Sequence, residues 1–158
     1  MTVAPLLVIE NVRGGYGDIT IVSDFTTTLD SGQVTCIAGR NGVGKTTLVR
    51  LVTGALMPSS GKVGLAGADV TKVPAHDRKG LGMGYAPQEG VVFDSLSVRD
   101  NLTLHHRDRS LTRYQSLFEI FPRIPERLDQ RAGTLSGGEK KILSFCRAMA
   151  EDTQLVVL

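Results

Sequence analysis

Apolar and polar positions change period several times along this chain, and each change predicts an element. Leu6 to Val12 reads as a strand, and Gly14-Gly15-Tyr16-Gly17-Asp18 as a turn. Ile19 to Leu29 alternates, with Ile19, Ile21, Phe25 and Leu29 on one register, and predicts a second strand ended by Asp30-Ser31-Gly32. Val34 to Ala38 is nearly continuous in apolar character, the pattern of a parallel strand buried on both faces. A helix is predicted from Lys45 to Thr53, closed by Gly54. After the turn Pro58-Ser59-Ser60-Gly61 come a short strand at Lys62 to Leu65 and a short helix at Pro74 to Lys79. A strand from Leu81 to Ala86 then ends at Pro87.

The second half is mostly helical. Ser97 starts a helix, with Asp100 at the third position of a capping box. Leu111 to Arg131 is helical text broken at Pro122 and Pro125. A last helix spans Gly137 to Ala150. On it Ile142, Leu143, Phe145, Cys146, Met149 and Ala150 form an apolar stripe, read as core, with Lys140, Lys141 and Arg147 mostly off that face. The chain ends on an apolar run, Leu155 to Leu158. Strands alternating with helices give an α/β class with a helical insert at about 97–131.

Composition narrows the partners. The 158 residues are 41% apolar and 22% charged, which excludes a disordered chain. The net charge of +2 is too balanced to suggest nucleic acid as a partner. Cys36 and Cys146 lie far apart in apolar contexts, so no disulfide framework is expected. No apolar run approaches the roughly 18 residues that would span a membrane. Glu10 follows the apolar patch Leu6 to Ile9 at once, with no basic segment before it, so no signal peptide is expected.

Gly39-Arg40-Asn41-Gly42-Val43-Gly44-Lys45-Thr46 matches the phosphate-loop pattern G-x-x-x-x-G-K-[ST], between a predicted strand and a predicted helix. Glycines let backbone N–H groups converge on phosphate oxygens, and the helix start adds unpaired donors. In that chemistry Lys45 reaches the β- and γ-phosphates, Thr46 is a Mg²⁺ ligand, and Thr47 donates to the α-phosphate. The pattern identifies a nucleoside triphosphate site without separating kinase, GTPase and ATPase.

About 90 residues later, Leu135-Ser136-Gly137-Gly138-Glu139 opens the last helix, with Ser136 as N-cap and Glu139 three residues on. The phosphate loop followed by LSGGE resembles the nucleotide-binding subunit of an ATP-binding cassette (ABC) transporter, over essentially the whole chain. The resemblance implies a P-loop NTPase fold with an antiparallel β subdomain, a parallel core sheet and a helical insert, incomplete at the C-terminus. It divides the chain into a catalytic core at about 1–96 and 132–158 and a helical subdomain at about 97–131. It implies ATP and Mg²⁺ as cofactors and a head-to-tail dimer in which Ser136, Gly137, Gly138 and Glu139 contact the ATP of the opposite subunit. Tyr16 resembles the aromatic that stacks on adenine, with weak discrimination between ATP and GTP. Gln88, in Tyr85-Ala86-Pro87-Gln88, resembles the glutamine that senses Mg²⁺ and the γ-phosphate. By resemblance Lys45, Gln88 and Ser136 serve hydrolysis.

Gly84 to Phe93, Leu96 to Leu102 and Phe121 to Thr134 resemble importers of branched-chain amino acids, and related urea and amide importers share the phrasing. A lipopolysaccharide-export ATPase shares part of it. The implied partners are a second ATP-binding subunit, transmembrane permease subunits and, indirectly, a substrate-binding protein, with the chain on the cytoplasmic face of the membrane. Other readings are a soluble non-transport ABC ATPase and a non-catalytic nucleotide-binding remnant. The long coiled coils of DNA-repair relatives do not fit a spacing of about 90 residues. In the family Leu155 to Leu158 corresponds to the Walker B strand, followed by an Asp and a Glu that this sequence does not include. Poor hydrolysis and a tendency to aggregate are therefore expected of the 158 residues alone. None of His76, His105 and His106 corresponds to the family's switch histidine, and His105-His106 is expected on a solvated face. Arg107, Arg109, Arg113, Arg123, Arg127 and Arg131 are expected on an exposed helical surface, with contact to the membrane subunit or anionic headgroups as a weaker reading.

Overall fold

A computed structural model describes residues 4–87, 92–149 and 153–158. The chain forms two compact units that divide between Met83 and Gly84.

The first unit is built on an antiparallel sheet. Strands β1 (Leu7–Tyr16), β2 (Ile19–Leu29), β3 (Ser60–Leu65) and β4 (Ala68–Asp69) lie in the order β2-β1-β3-β4. Leu7 pairs with Leu29 on one side and Leu65 on the other, and Ile9 faces Val63. Leu7, Ile9, Val12, Val63 and Leu65 are all buried, so alternate residues of β1 and β3 make one apolar face. Helix α1 (Lys45–Thr53) buries Leu48, Leu51 and Val52, and it packs on β1 and β2. A short helix, α2 (Ala75–Gly80), follows.

Three expectations change here. Gly14 and Gly15 continue β1, and only Gly17 and Asp18 turn. The glycines serve close approach instead. A Cβ on Gly14 would sit 2.6 Å from Leu51 Cδ2, and one on Gly15 would sit 1.9 Å from the Ile19 carbonyl oxygen. On β2 the buried residue is Val22, while Ile19 and Ile21 are exposed. Asp24 takes a φ of 50°, and the register with β1 shifts nearby, so the alternation changes phase before Phe25. Finally, Val34 to Ala38 forms no strand and is exposed throughout, with Val34 fully so. A parallel strand needs ladder neighbours and cover on both faces, and no described strand pairs with this run.

In the second unit, strand β5 (Met83–Tyr85) pairs with β6 (Leu155–Val157) in a two-stranded parallel sheet, and Ala86 N–H donates to the Val157 carbonyl at 2.9 Å. The expected strand at Leu81 to Ala86 is thus shorter, and the expected strand at Leu155 to Leu158 is present. Helices α3 (Val98–Thr103), α4 (Gln115–Ile120) and α5 (Gly137–Met149) surround a core of Val98, Leu102, Tyr114, Leu117, Ile124, Ala132, Leu135, Leu143 and Cys146. The stretch expected to be helical from Leu111 to Arg131 is a set of short pieces, with single 3₁₀ turns at Thr112–Tyr114 and Pro125–Arg127 around α4. The two prolines deny the backbone donors and the room that a continuous helix needs. Along α5, Leu143 and Cys146 are buried as the stripe requires, while Met149 is exposed. Ala150 lies outside the described residues.

Among the described residues no helix is long and apolar enough to cross a membrane.

Candidate functional site

The loop Gly39 to Gly44 owes its shape to residues without a Cβ. Gly42 and Gly44 adopt φ of 83° and 100°, in the left-handed region that other residues rarely enter. Gly44 is also the N-cap of α1, so no side chain occupies the helix start. The first turn carries no acidic residue either. A typical helix start is capped by Ser, Thr, Asp or Asn, and often has a carboxylate nearby. This one keeps its unpaired N–H groups for an anion from outside.

Lys45 is folded back over the same loop. Its ammonium donates to the carbonyls of Gly39 and Arg40, both at 2.8 Å. These are neutral acceptors, so the cation is held in place without being neutralised. A phosphate brought to the loop meets a cation, a helix start and glycine backbone together. Among the neighbours in sequence, Arg40, Asn41 and Val43 are exposed on the loop. Thr46 is exposed in the first turn, as a metal-ligating hydroxyl must be, whereas Thr47 is buried. The donor set therefore fits a triphosphate with Mg²⁺. Lys45 and the loop would hold the phosphates and Thr46 would offer an oxygen to the ion.

Tyr16 ends β1 in the same unit, with 42% of its surface exposed. Its hydroxyl accepts a hydrogen bond from Arg50 Nη1 of α1 at 2.8 Å. The sequence reading singled out Tyr16 and passed over Arg50.

Gln88 lies outside the described residues, as do Glu89, Gly90 and Val91.

The segment Leu135 to Glu139 lies in the second unit. Leu135 is buried in the core, while Ser136, Gly137 and Gly138 are exposed at the start of α5. Nothing stands within 4 Å of the place a Cβ would take on either glycine, so their backbone is approachable. Ser136 and Glu139 form the reciprocal capping box their spacing predicts. Glu139 N–H donates to Ser136 Oγ at 3.3 Å, and Ser136 N–H and Oγ–H both donate to Glu139 Oε2 at 2.9 Å. The Ser136 backbone N–H, then its hydroxyl, hold the Glu139 carboxyl below the usual carboxylate range, and the Arg127 guanidinium adds to this. Arg127 Nη2 lies 3.3 Å from Glu139 Oε1.

Two fully buried polar side chains were not singled out by sequence. Arg78, on α2, donates to the carbonyls of Val73 (2.7 Å), Leu51 (3.3 Å), Thr71 (3.3 Å) and Val52. It gathers the end of α1 and the strand-to-helix connection behind it. Asn101, on α3, accepts from Phe93 N–H at 2.8 Å and donates to the carbonyls of Phe93 and Ser97 at 3.0 and 2.9 Å. Arg78 stands in the charged run His76 to Lys79, whose residue types give no sign of burial. Asn101 carried a usable signal, a lone amide between the apolar Val98 and Leu102.

Of the histidines, His105 is exposed as expected, His76 is exposed as well, and His106 is half-buried. His105 Nε2 lies 2.7 Å from Arg147 Nη2, and His106 Nδ1 lies 2.8 Å from Arg113 Nη1. Arg109 bonds Asp100 at 2.7 Å and Arg113 bonds both oxygens of Asp108 at 2.9 Å, so these two cations have intramolecular carboxylates. Among the described residues no cluster of His, Cys, Asp and Glu could hold a metal ion.

Comparison with known proteins gives one consistent likeness. A family model described as ABC transporter matches residues 22–158. The chain is 31% identical over 151 residues to the probable branched-chain amino acid transport ATP-binding protein LivF of Archaeoglobus fulgidus. That match covers 93% of this chain and 64% of the relative. It is 34% identical over 161 residues to the lipopolysaccharide export system ATP-binding protein LptB of Haemophilus influenzae, covering 97% of this chain and 66% of that relative. The fold is shared with the crystal structure of a nucleotide-free ATP-binding cassette from an ABC transporter. The TM-score is 0.82 at 23% identity, over 96% of this chain and 67% of the other. The chain thus spans somewhat less than two thirds of the length of these two curated relatives.

Proposed function

The chain belongs to the ABC transporter family, and we propose that it binds ATP–Mg²⁺ through Gly39 to Thr47 and serves as the ATP-binding part of a transport subunit. The observation that carries this is the uncapped start of α1 beneath a glycine loop that wraps its own lysine. In this reading Lys45 and the loop N–H groups bind the phosphates, Thr46 holds Mg²⁺, and Tyr16 stacks on the base. By its resemblance, Gln88 takes the role of the glutamine that senses the metal and the γ-phosphate. Stacking tolerates any base, so ATP is only weakly preferred over GTP.

Ser136 to Glu139 then act on a nucleotide held by a second ATP-binding subunit. Their open backbone and positive helix end suit a terminal phosphate. That phosphate must compete with the Glu139 carboxylate for Ser136. Hydrolysis by the whole subunit drives solute across a membrane through permease subunits, on the cytoplasmic face. Residues 97–131 form the helical subdomain of the assembly. Branched-chain amino-acid import is the first reading of the cargo, supported by the LivF likeness. Lipopolysaccharide export is the second, supported by the LptB likeness at a similar identity.

Titration of the purified chain with ATP, with and without Mg²⁺, tests the nucleotide site. Binding is expected to be Mg²⁺-dependent and to weaken at least about tenfold in Lys45→Ala. Equal affinity in that variant would overturn the assignment. Transport assays of the complete assembly with leucine and with lipopolysaccharide separate the two cargoes.

A further inference from the structure

Tyr16 and Arg50 meet at the end of the β1–β2 hairpin, and their contact has a neighbour. Gly14, two residues before Tyr16, lies against Leu51, the residue after Arg50. A Cβ on Gly14 would stand 2.6 Å from Leu51 Cδ2. The hairpin end therefore touches α1 at two successive points, one apolar and one polar. Arg50 is five positions after Lys45, about 7.5 Å along the same helix at 1.5 Å per residue. The phosphate loop and the contact that holds the Tyr16 hydroxyl are thus carried by one rigid element.

We propose that Arg50 is a positioning residue for the nucleobase platform: its hydrogen bond to the Tyr16 hydroxyl sets the ring's orientation relative to the phosphate loop. This rests on the reading of Tyr16 as the base-stacking residue. A ring that ends a strand beside a tight turn, with 42% of its surface exposed, has little packing to select one rotamer. Binding a base on such a ring includes the loss of that freedom. A donor with full charge at the far end of the ring removes the freedom beforehand. It leaves the aromatic face for the base and keeps the guanidinium at the rim. In this scheme Arg50 acts on the base through its Nη1 bond to the phenol, and the tripolyphosphate arm below tests whether its charge also serves the phosphates.

The test compares dissociation constants for ATP, GTP and inorganic tripolyphosphate, each with Mg²⁺, in wild type, Tyr16→Ala, Tyr16→Phe, Arg50→Met and the double variant Tyr16→Phe/Arg50→Met. Tyr16→Phe keeps both ring and charge, so folding is not at stake. Tyr16→Phe and Arg50→Met are each expected to weaken ATP and GTP about threefold to tenfold while leaving tripolyphosphate unchanged, and the double variant is expected to be no worse than either single one. Equal weakening of tripolyphosphate and ATP in Arg50→Met would reduce Arg50 to a general attractive charge and overturn the proposal. So would unchanged ATP binding in Tyr16→Phe, which keeps the stacking but not the anchor, alongside a large loss in Tyr16→Ala. An unchanged ratio of ATP to tripolyphosphate affinity in Tyr16→Ala would instead overturn the stacking reading itself.

Discussion

Arg78 donates from its guanidinium to the main-chain carbonyl of Val52, in the last turn of the helix that begins at the phosphate loop. The same group also reaches Leu51, Thr71 and Val73. Carbonyls at a helix C-terminus have no intrahelical partner, and a cation there also meets the negative end of the helix dipole. Burial lowers the pKa of Arg78, and the charge of Asp69 opposes that shift. Arg78→Met removes these donors together and leaves buried carbonyls unpaired. The expected loss is about 3 kcal/mol of stability, seen as a lower urea midpoint with an unchanged slope. Arg78→Lys is expected to recover only part, because one ammonium cannot reach carbonyls spread around a planar fork.

Gly54 is the counterpart of that arrangement. It closes α1 in the left-handed region at φ 75°, and a Cβ there would stand 2.6 Å from Arg78 Nε and 2.7 Å from the Val73 carbonyl oxygen. Gly54→Ala is expected to cost about 2 kcal/mol from strain and displacement of Arg78. In the Arg78→Met background the same substitution is expected to cost less, and a double-mutant cycle on thermal midpoints measures the difference.

Sequence made the local chemistry legible and the long-range partners illegible. The glycine loop, the helix from Lys45 to Thr53 and both capping boxes depend on neighbours within a few residues, so spacing alone placed them. Val34 to Ala38 carried the pattern of a buried strand, but a pattern cannot supply the neighbour that makes a strand. The phase change near Asp24 depends on a backbone twist that the residue type permits but does not announce. Arg78 was hidden for a further reason. Polar side chains are buried by carbonyls that arrive from distant segments, and carbonyls have no sequence signature. Of the expected site, the phosphate loop was the most legible. Arg50 was the least, since its partner lies 34 residues away.

Asn101 ties α3 to the backbone at Phe93 by two bonds and to Ser97 by a third. Asn101→Leu matches the size and the apolar surroundings but strips those groups of their partners. A loss of about 2 kcal/mol is expected, with Asn101→Asp intermediate, since a carboxylate still accepts from Phe93 N–H. Chemical denaturation of the three proteins orders them.

The two cysteines are expected to separate cleanly by reactivity. Cys146 is fully buried, and burial pushes its thiol up to about 11. Cys36 is exposed. Brief treatment of the folded chain with iodoacetamide at neutral pH should add one adduct, mapped by mass spectrometry to Cys36. The denatured chain should take two.

Acid sensitivity should trace in part to Glu139. Its carboxyl is held below the usual range by Ser136, and Arg127 reinforces it. A group whose folded pKa lies below its unfolded one stabilises the fold above the unfolded value, and that contribution fades as pH falls through the folded value. Wild type should therefore lose denaturant resistance below about pH 4.5, the ordinary carboxylate range. Glu139→Gln keeps an acceptor for Ser136 but cannot titrate. Its midpoint is expected to be lower than wild type at pH 7 and to fall less between pH 5 and pH 3. Ser136→Ala removes the hydroxyl shared by the box, at about 1 kcal/mol, and should flatten the same pH slope only in part, because the backbone N–H of residue 136, the larger cause of the lowered Glu139 pKa, remains. Parallel pH slopes in all three proteins would place the acid sensitivity elsewhere, with Asp100 the next candidate. The Ser97 hydroxyl holds that carboxyl low in the same way at the start of α3.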